Sequence, residues 1–278
     1  MRRKLKIAAV PYLNAKPIIY GLERLGDKVE LLFDVPSQLP RLLEERRVDV
    51  ALIPSIECLR GKGLMPLPGV SISSRGAVES VRLFLRRCYI DNVRSVALDE
   101  SSRTSVVLTK IILKERYGLR PRYFSWQGGS RMEDTRADAI LVIGDNAMRV
   151  DDGLTSLDLG AEWQELTKLP FVYALWASAS RETLNEAAPL LQDAKEHGLE
   201  NLGAIALRES AKLGLEPELC IRYLTQCIHY DLGKEEIKGL QCFYDYAFKL
   251  GMVPDGVSFE LHDRGHIREG ALKKADRP

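Results

Sequence analysis

The sequence predicts an α/β fold in which two lobes, joined by a two-stranded hinge, face each other across a central ligand cleft. Three observations carry that expectation. Apolar strands and amphipathic helices alternate over 6–53; a second alternation with its own apolar stripe occupies 93–143; and a long aromatic-rich strand at 169–177 is followed by helical patterns only. A chain that leaves one sheet, builds another and returns crosses between them twice, here near Leu85 and near Phe171, and a ligand belongs in the crevice between the two.

The elements follow in order. Residues 6–10 form a buried strand that runs into Pro11-Tyr12-Leu13-Asn14-Ala15-Lys16-Pro17. Pro17 suits a first helical turn, where its missing N–H costs nothing, Asn14 or its neighbour is placed to cap that turn, and the helix is expected to continue through Ile18, Ile19, Leu22 and Leu25. A strand at 29–33, a helix carrying Leu39, Leu42 and Leu43, and a strand at 48–53 complete a right-handed parallel unit. Short extended pieces at 70–74 and 80–85 lead away from it. In the second lobe a strand at 93–98 precedes a helix at 104–117, whose Val107, Leu108, Ile111 and Ile112 share a stripe and which stops before Gly118; strands at 122–126 and 137–143 follow. After the return strand, Ser180 caps a helix with Leu184, Ala187, Ala188 and Leu191 that ends near Gly198. Further helices are expected at 202–213, stopped by Gly214, from Pro217 through Leu219, Ile221, Leu224 and Ile228, and at 235–250. Residues beyond about 255 have no periodicity and read as a frayed tail. The lobes are accordingly placed at 1–85 plus 172–278 and at 86–171.

Composition excludes several functions. Lys plus Arg number 40 against 39 Asp plus Glu, so no long-range field gathers nucleic acid or an acidic membrane, and neither is an expected partner; any preference for an anion must be local. The basic start at 1–6 is followed by an apolar run that ends at Pro11, too short for an export signal or a membrane span, so a cytoplasmic location is expected. The odd set Cys58, Cys88, Cys220, Cys227 and Cys242 reads as reduced thiols in apolar segments. Of four histidines only His262 and His266 are neighbours, in the tail, and no metal site is expected. Gly61-Lys62-Gly63 and Gly128-Gly129-Ser130 lack P-loop spacing, and no dinucleotide fingerprint or nucleophile elbow is present, so no cofactor is expected. Chemistry by positioning and hydrogen bonding remains.

Polar loops at strand ends are the candidates for that chemistry: Pro11-Tyr12-Leu13-Asn14, Ile53-Pro54-Ser55-Ile56-Glu57, Ser71-Ile72-Ser73-Ser74, Ser101-Ser102-Arg103-Thr104-Ser105 and Gly144-Asp145-Asn146. Carboxyl ends of parallel strands share one crevice, where helix N-termini offer unpaired donors to an anion. Ordinary helix capping would use the same residue types, so each loop alone is ambiguous. The strongest is Ser102-Arg103-Thr104-Ser105, at the start of a well-formed helix, and Arg75 or Arg82 is placed to clamp a carboxylate.

Taken together in order and spacing, Tyr12-Leu13-Asn14-Ala15-Lys16-Pro17, Asp49-Val50-Ala51-Leu52-Ile53-Pro54-Ser55-Ile56-Glu57, Ile72-Ser73-Ser74-Arg75-Gly76-Ala77-Val78-Glu79-Ser80-Val81, Thr104-Ser105, Ala139-Ile140-Leu141-Val142-Ile143-Gly144-Asp145 and Leu169-Pro170-Phe171-Val172-Tyr173-Ala174-Leu175-Trp176 resemble the chorismate dehydratase family of the futalosine route to menaquinone, over most of the chain to about residue 250. The resemblance implies a type II periplasmic-binding-protein-like fold and a cytoplasmic lyase acting on a small molecule without a cofactor, with a homodimer left open. The implied reaction removes water from chorismate to leave 3-(1-carboxyvinyloxy)benzoate. The proton departs from the ring carbon bearing the enolpyruvyl ether, the hydroxyl from its neighbour, and aromatisation drives the step. On that reading Asn14 and Ser80 are the expected catalytic residues, and Tyr12, Ser55, Ser73, Ser74, Thr104, Ser105, Gly144 and Asp145 the substrate-binding ones. The base stays open between a substrate carboxylate, Glu57 or Asp145, and an ionisation-first path. The alternatives are a noncatalytic protein of the same fold that binds or senses small anions, and the related naphthoate-forming lyase, whose N-terminal loop signature differs.

Overall fold

Apolar side chains on both faces put Leu5–Ala9 (β1) inside a sheet, where it pairs in parallel with Val29–Phe33 (β2) on one side and Val50–Pro54 (β3) on the other. In the computed structural model, which describes residues 3–86, 88–128, 132–150, 153–256, 261–262 and 266–267, this first sheet is completed by Met65–Ser74 (β4) and Phe171–Ser178 (β10) in the order β2-β1-β3-β10-β4. β10 is antiparallel to both its neighbours, as expected of a strand arriving from the opposite direction. The second sheet comprises Val81–Leu85 (β5), Ser95–Asp99 (β6), Arg122–Trp126 (β7), Ala139–Ile143 (β8) and Ser156–Asp158 (β9), in the order β7-β6-β8-β5-β9. β6, β7 and β8 run parallel, and β5 is antiparallel to β8 and β9. The molecule is thus a pair of α/β lobes.

The helices are Leu39–Glu44 (α1), Ser55–Cys58 (α2), Thr104–Glu115 (α3), Asp145–Arg149 (α4), Leu159–Thr167 (α5), Arg181–Glu200 (α6), Leu202–Leu213 (α7), Pro217–Arg222 (α8) and Lys234–Lys249 (α9). α6 lies so close to the N-terminal turns that a Cβ on Gly198 would stand 1.9 Å from the Pro17 carbonyl oxygen. Trp163 of α5, Phe171 of β10 and Phe243 of α9 meet edge to face at 4.9–6.1 Å between ring centroids, which fastens the segment leaving the second sheet onto the first. Trp163 also donates to the Pro170 carbonyl at 3.1 Å, so its buried indole nitrogen is satisfied. No helix among the described residues is long and apolar enough to cross a membrane.

Four expectations change. Pro17 does not open an α-helix: the segment is three 3-10 turns, Leu13–Ala15, Pro17–Ile19 and Leu22–Leu25, and no side chain caps them. Tyr20 is extended and Gly21 sits at φ +80°, which breaks the helical path while Ile18, Ile19 and Leu22 still reach the core. Second, β5 belongs to the second sheet, so the chain enters that sheet at Val81 rather than after Leu85, because β5 finds its partners in β8 and β9. Third, β9 and α5 exist where no element was read; Asp158 caps α5 by accepting from Gly160 and Ala161 N–H. Fourth, the helix opened by Pro217 keeps α geometry only to Arg222 and then widens into a π turn, Tyr223–Cys227. The expected tail beyond 255 lies outside the described residues except for a short pairing of Leu261–His262 with His266–Ile267.

Candidate active site

Between the two sheets lies a cleft with about 580 Å³ of empty space, counting its open mouth. Its walls come from both lobes: the exit of β1, the ends of β3, β4 and β10, the crossing before β5, the start of α3 and the end of β8. Apolar side chains such as Val10, Leu52, Ile72 and Val81 line the cleft together with polar ones such as Asn14, Ser80 and Thr104.

Tyr12 and Asn14 are held there by a contact across the lobes. The Leu13 N–H donates to Asp145 Oδ1 at 3.0 Å, so the first residue of α4 fixes the turn that presents Asn14. The Oδ1 atom of Asn14 is buried and has no hydrogen-bond partner among the described residues, which is costly unless a ligand group meets it. Tyr12 lies against Gly144, where a Cβ would stand 3.2 Å from three ring atoms; Gly144 is also at φ +65° and ψ −154°, a conformation that only glycine adopts readily. Burial pushes the Tyr12 phenol pKa up, opposed by a hydrogen bond with Ser101, and the nearby Asp99 and Asp145 raise it further. Asp99, itself raised by burial, accepts from the Ser101 hydroxyl at 2.6 Å and the Ser101 N–H at 2.9 Å.

Ser80 ends the first crossing between lobes. Its carbonyl accepts from Gly144 N–H at 2.8 Å, and its Oγ accepts from the buried Tyr223 hydroxyl at 2.8 Å. Asp158 secures the same crossing by accepting from Val78 and Glu79 N–H at 2.7–3.0 Å. From the second lobe, Ser102, Arg103, Thr104 and Ser105 bring the start of α3 into the cleft, and no side chain caps that helix. Thr104 Oγ1 accepts from Ile56 N–H at 3.3 Å and so also joins the lobes.

Of the expected site residues, Tyr12, Asn14, Ser80, Thr104, Ser105 and Gly144 come together around the cleft. Ser55, Ser73, Ser74 and Asp145 stand behind its lining, each held by a bond within the protein. The Ser55 hydroxyl donates to Val172 O at 2.7 Å and that of Ser73 to His229 O at 3.1 Å. Ser74 donates to Gly76 O at 3.0 Å, which leaves the Tyr173 hydroxyl, also 3.0 Å away, to donate to Ser74; Asp145 holds Leu13. The two arginines expected as clamps are engaged as well. Arg75 pairs with Glu236 through Nε and Nη2 at 3.1 and 2.9 Å, and Arg82 bonds Ser156 while lying over the Phe84 ring. Glu57, an expected base, is buried and paired with Arg60.

Ser102 and Arg103, named in the strongest candidate loop but given no role of their own, line the cleft, as does Tyr173, which sequence reasoning passed over. For Arg103 the available signal was its neighbours' role at a helix N-terminus; β10 is apolar and buried almost throughout, so nothing in its pattern set Tyr173 apart. Nothing in the sequence pointed to Tyr223, whose hydroxyl reaches Ser80 from 143 residues away.

The menaquinone biosynthesis family model matches residues 5–249. A relative named chorismate dehydratase from Thermus thermophilus is 32% identical over 263 residues, covering 87% of this chain and 94% of its own. Among solved structures, a protein from Archaeoglobus fulgidus superposes with a TM-score of 0.73 at 20% identity, over 90% of this chain and 98% of that one. The periplasmic aliphatic sulphonate binding protein of Escherichia coli does so with 0.65 at 14% identity, over 92% and 95%. These two likenesses establish the periplasmic-binding-protein-like fold, and the family match over residues 5–249 with the 32% identity to the Thermus thermophilus relative closes the argument: the chain belongs to the menaquinone biosynthesis family.

Proposed function

We propose that this protein is a hydro-lyase that converts chorismate to 3-(1-carboxyvinyloxy)benzoate in menaquinone biosynthesis, by the futalosine route and in the cytoplasm. The observation that carries the reading is the meeting, in one cleft, of an unpartnered buried Asn14 oxygen, the Ser80 hydroxyl and the uncapped start of α3. Family membership and the dehydratase name of the Thermus thermophilus relative support it.

Chorismate brings two carboxylates and a ring. The start of α3, with Arg103, Thr104 and Ser105, suits one carboxylate, since unpaired helix N–H groups contribute roughly 0.3–1 kcal/mol to an anion and a guanidinium adds a bidentate donor. The apolar wall of Val10, Leu52 and Ile72 suits the ring. Among the described residues no Asp, Glu or His lines the cleft, so the reading assigns proton removal to the substrate's own enolpyruvyl carboxylate. That group takes the proton from the ring carbon bearing the ether, and the electron pair delocalises toward the ring carboxylate. Hydroxide then leaves the neighbouring carbon and recovers the same proton as water, so charge and atoms balance. Ser80 donates to the departing oxygen, an interaction that strengthens as charge develops there, and Asn14 Oδ1 accepts from the substrate hydroxyl and so orients it.

Incubation of the purified protein with chorismate, with no metal or nucleotide added, followed by chromatography with mass detection, tests the proposal. Enzyme-dependent appearance of an aromatic product lighter by one water is expected. Chorismate that binds and persists unchanged would transfer the protein to the anion-binding reading.

A further inference from the structure

Two consecutive residues at the junction of α8 and the π turn grip two consecutive residues of the crossing loop. Arg222 pairs with Glu79 at 3.0 Å, and Tyr223 donates its hydroxyl proton to Ser80 Oγ at 2.8 Å. The loop needs such a grip. Glu79 sits at φ +60°, in the left-handed region that a non-glycine residue adopts at a cost, and Ser80 N–H folds back onto Val78 O at 2.7 Å.

The hydrogen bond fixes a direction as well as a place. A serine hydroxyl has one proton and rotates among three staggered wells, so it donates or accepts according to its surroundings. Here Tyr223 fills an acceptor position of Ser80 Oγ, and no acceptor within the protein is recorded for the Ser80 proton among the described residues. Tyr223 is fully buried and its phenol pKa lies far above the ordinary value, chiefly through burial, so it remains protonated and remains the donor. Asn14 lies beside it, with its own oxygen unpartnered at the cleft.

We propose that Tyr223 is a positioning residue for the reaction: by donating to Ser80 Oγ it makes the Ser80 hydroxyl a fixed hydrogen-bond donor into the cleft, aimed at the oxygen that departs. This rests on the dehydratase reading. Tyr223 touches neither substrate nor reacting atoms; it acts through Ser80, and Arg222 supports the same arrangement by holding Glu79.

A double-mutant cycle on the full chain tests this. Wild-type turnover of chorismate comes first, because its absence would count against the dehydratase reading and not against the role of Tyr223. Tyr223→Phe removes a single oxygen, and kcat is expected to fall about tenfold or more while KM changes less than about threefold, the range set by losing one oriented hydrogen bond. In a Ser80→Ala background the same substitution should change kcat by less than about twofold. Arg222→Met, an exposed change that leaves the buried site intact, should lower kcat by a smaller factor that also vanishes in the Ser80→Ala background; it keeps the test open should Tyr223→Phe fold poorly. Equal losses in both backgrounds, or a loss confined to KM, would mean that Tyr223 only fills space and would overturn the inference.

Discussion

At the scale of the single residue the proposed chemistry centres on Asn14, since a buried oxygen without a partner among the described residues gains most from a ligand that supplies a donor. An oriented hydrogen bond to a neutral hydroxyl contributes roughly 0.5–1.5 kcal/mol, so Asn14→Ala should lower kcat/KM for chorismate about two- to tenfold in steady-state assays, and an unchanged value would remove Asn14 from the mechanism. Asp99 offers a test with a sign. Burial raises its pKa above the ordinary 3.8, so the folded protein holds this proton more tightly than the unfolded chain does. Its contribution is therefore a penalty that is absent below pH 3.8, grows as pH rises through the raised native value and is complete at neutral pH. Asp99→Asn, which retains an acceptor for Ser101, should raise the denaturant midpoint at neutral pH, with the gain shrinking toward zero in acid. A gain independent of pH would contradict the burial argument. Residues at this scale were half legible. Of the polar loops at strand ends, those of Asn14 and Thr104 line the cleft, and Ser80, named only through the family resemblance, lines it too, yet Ser55 and Ser73 have the same chemistry and donate to main-chain carbonyls instead. A hydroxyl that satisfies the backbone and one that meets a ligand look alike until the chain is folded.

Among the elements, the strands and long helices were readable because their periodicity follows from which faces are buried. β7 and α7 have the expected bounds, and Ser180 caps α6 by accepting from Thr183 N–H at 3.3 Å. The N-terminal turns were not readable, because Ile18, Ile19 and Leu22 are buried in a 3-10 path as they would be in an α-helix, and only the backbone at Tyr20 and Gly21 separates the two. The π turn escaped for a similar reason: one extra residue in a turn leaves no compositional trace. The approach of α6 to Pro17 gives a prediction. A Cβ at Gly198 would meet a main-chain oxygen at 1.9 Å, and backbone on both sides leaves little room to yield. Gly198→Ala should destabilise the protein by about 1–3 kcal/mol, as overpacked positions do, read as a lower midpoint in denaturant unfolding. A midpoint equal to wild type would mean that α6 is free to move off the turn.

At the scale of the whole molecule, two sheets meet at a crevice that neither encloses alone. Leu13 is held by Asp145, and Ile56 by Thr104, so two of the ties between lobes adjoin the cleft, while Arg149 donates to Leu213 O at the exposed outside. The existence of two lobes was legible, because each α/β run carries its own core pattern. The boundary was not, since β5 is assigned to the second sheet only by its partners β8 and β9, and β9 is three residues long. Arg103, carried by the second lobe, gives a prediction at this scale: Arg103→Ala should raise KM for chorismate about tenfold with a smaller change in kcat, as for a group that binds substrate and transition state alike. A fall in kcat with KM unchanged would instead give Arg103 a part in the bond-breaking step. The central claim is that the crevice shared by the lobes holds the reacting molecule. A crystal structure of the Asn14→Ala variant soaked with chorismate addresses it most directly. The ligand is predicted to lie between Ser80 and the start of α3, with a carboxylate at Thr104 and Ser105; ordered chorismate bound on the outside of either lobe, with the crevice empty, would contradict it.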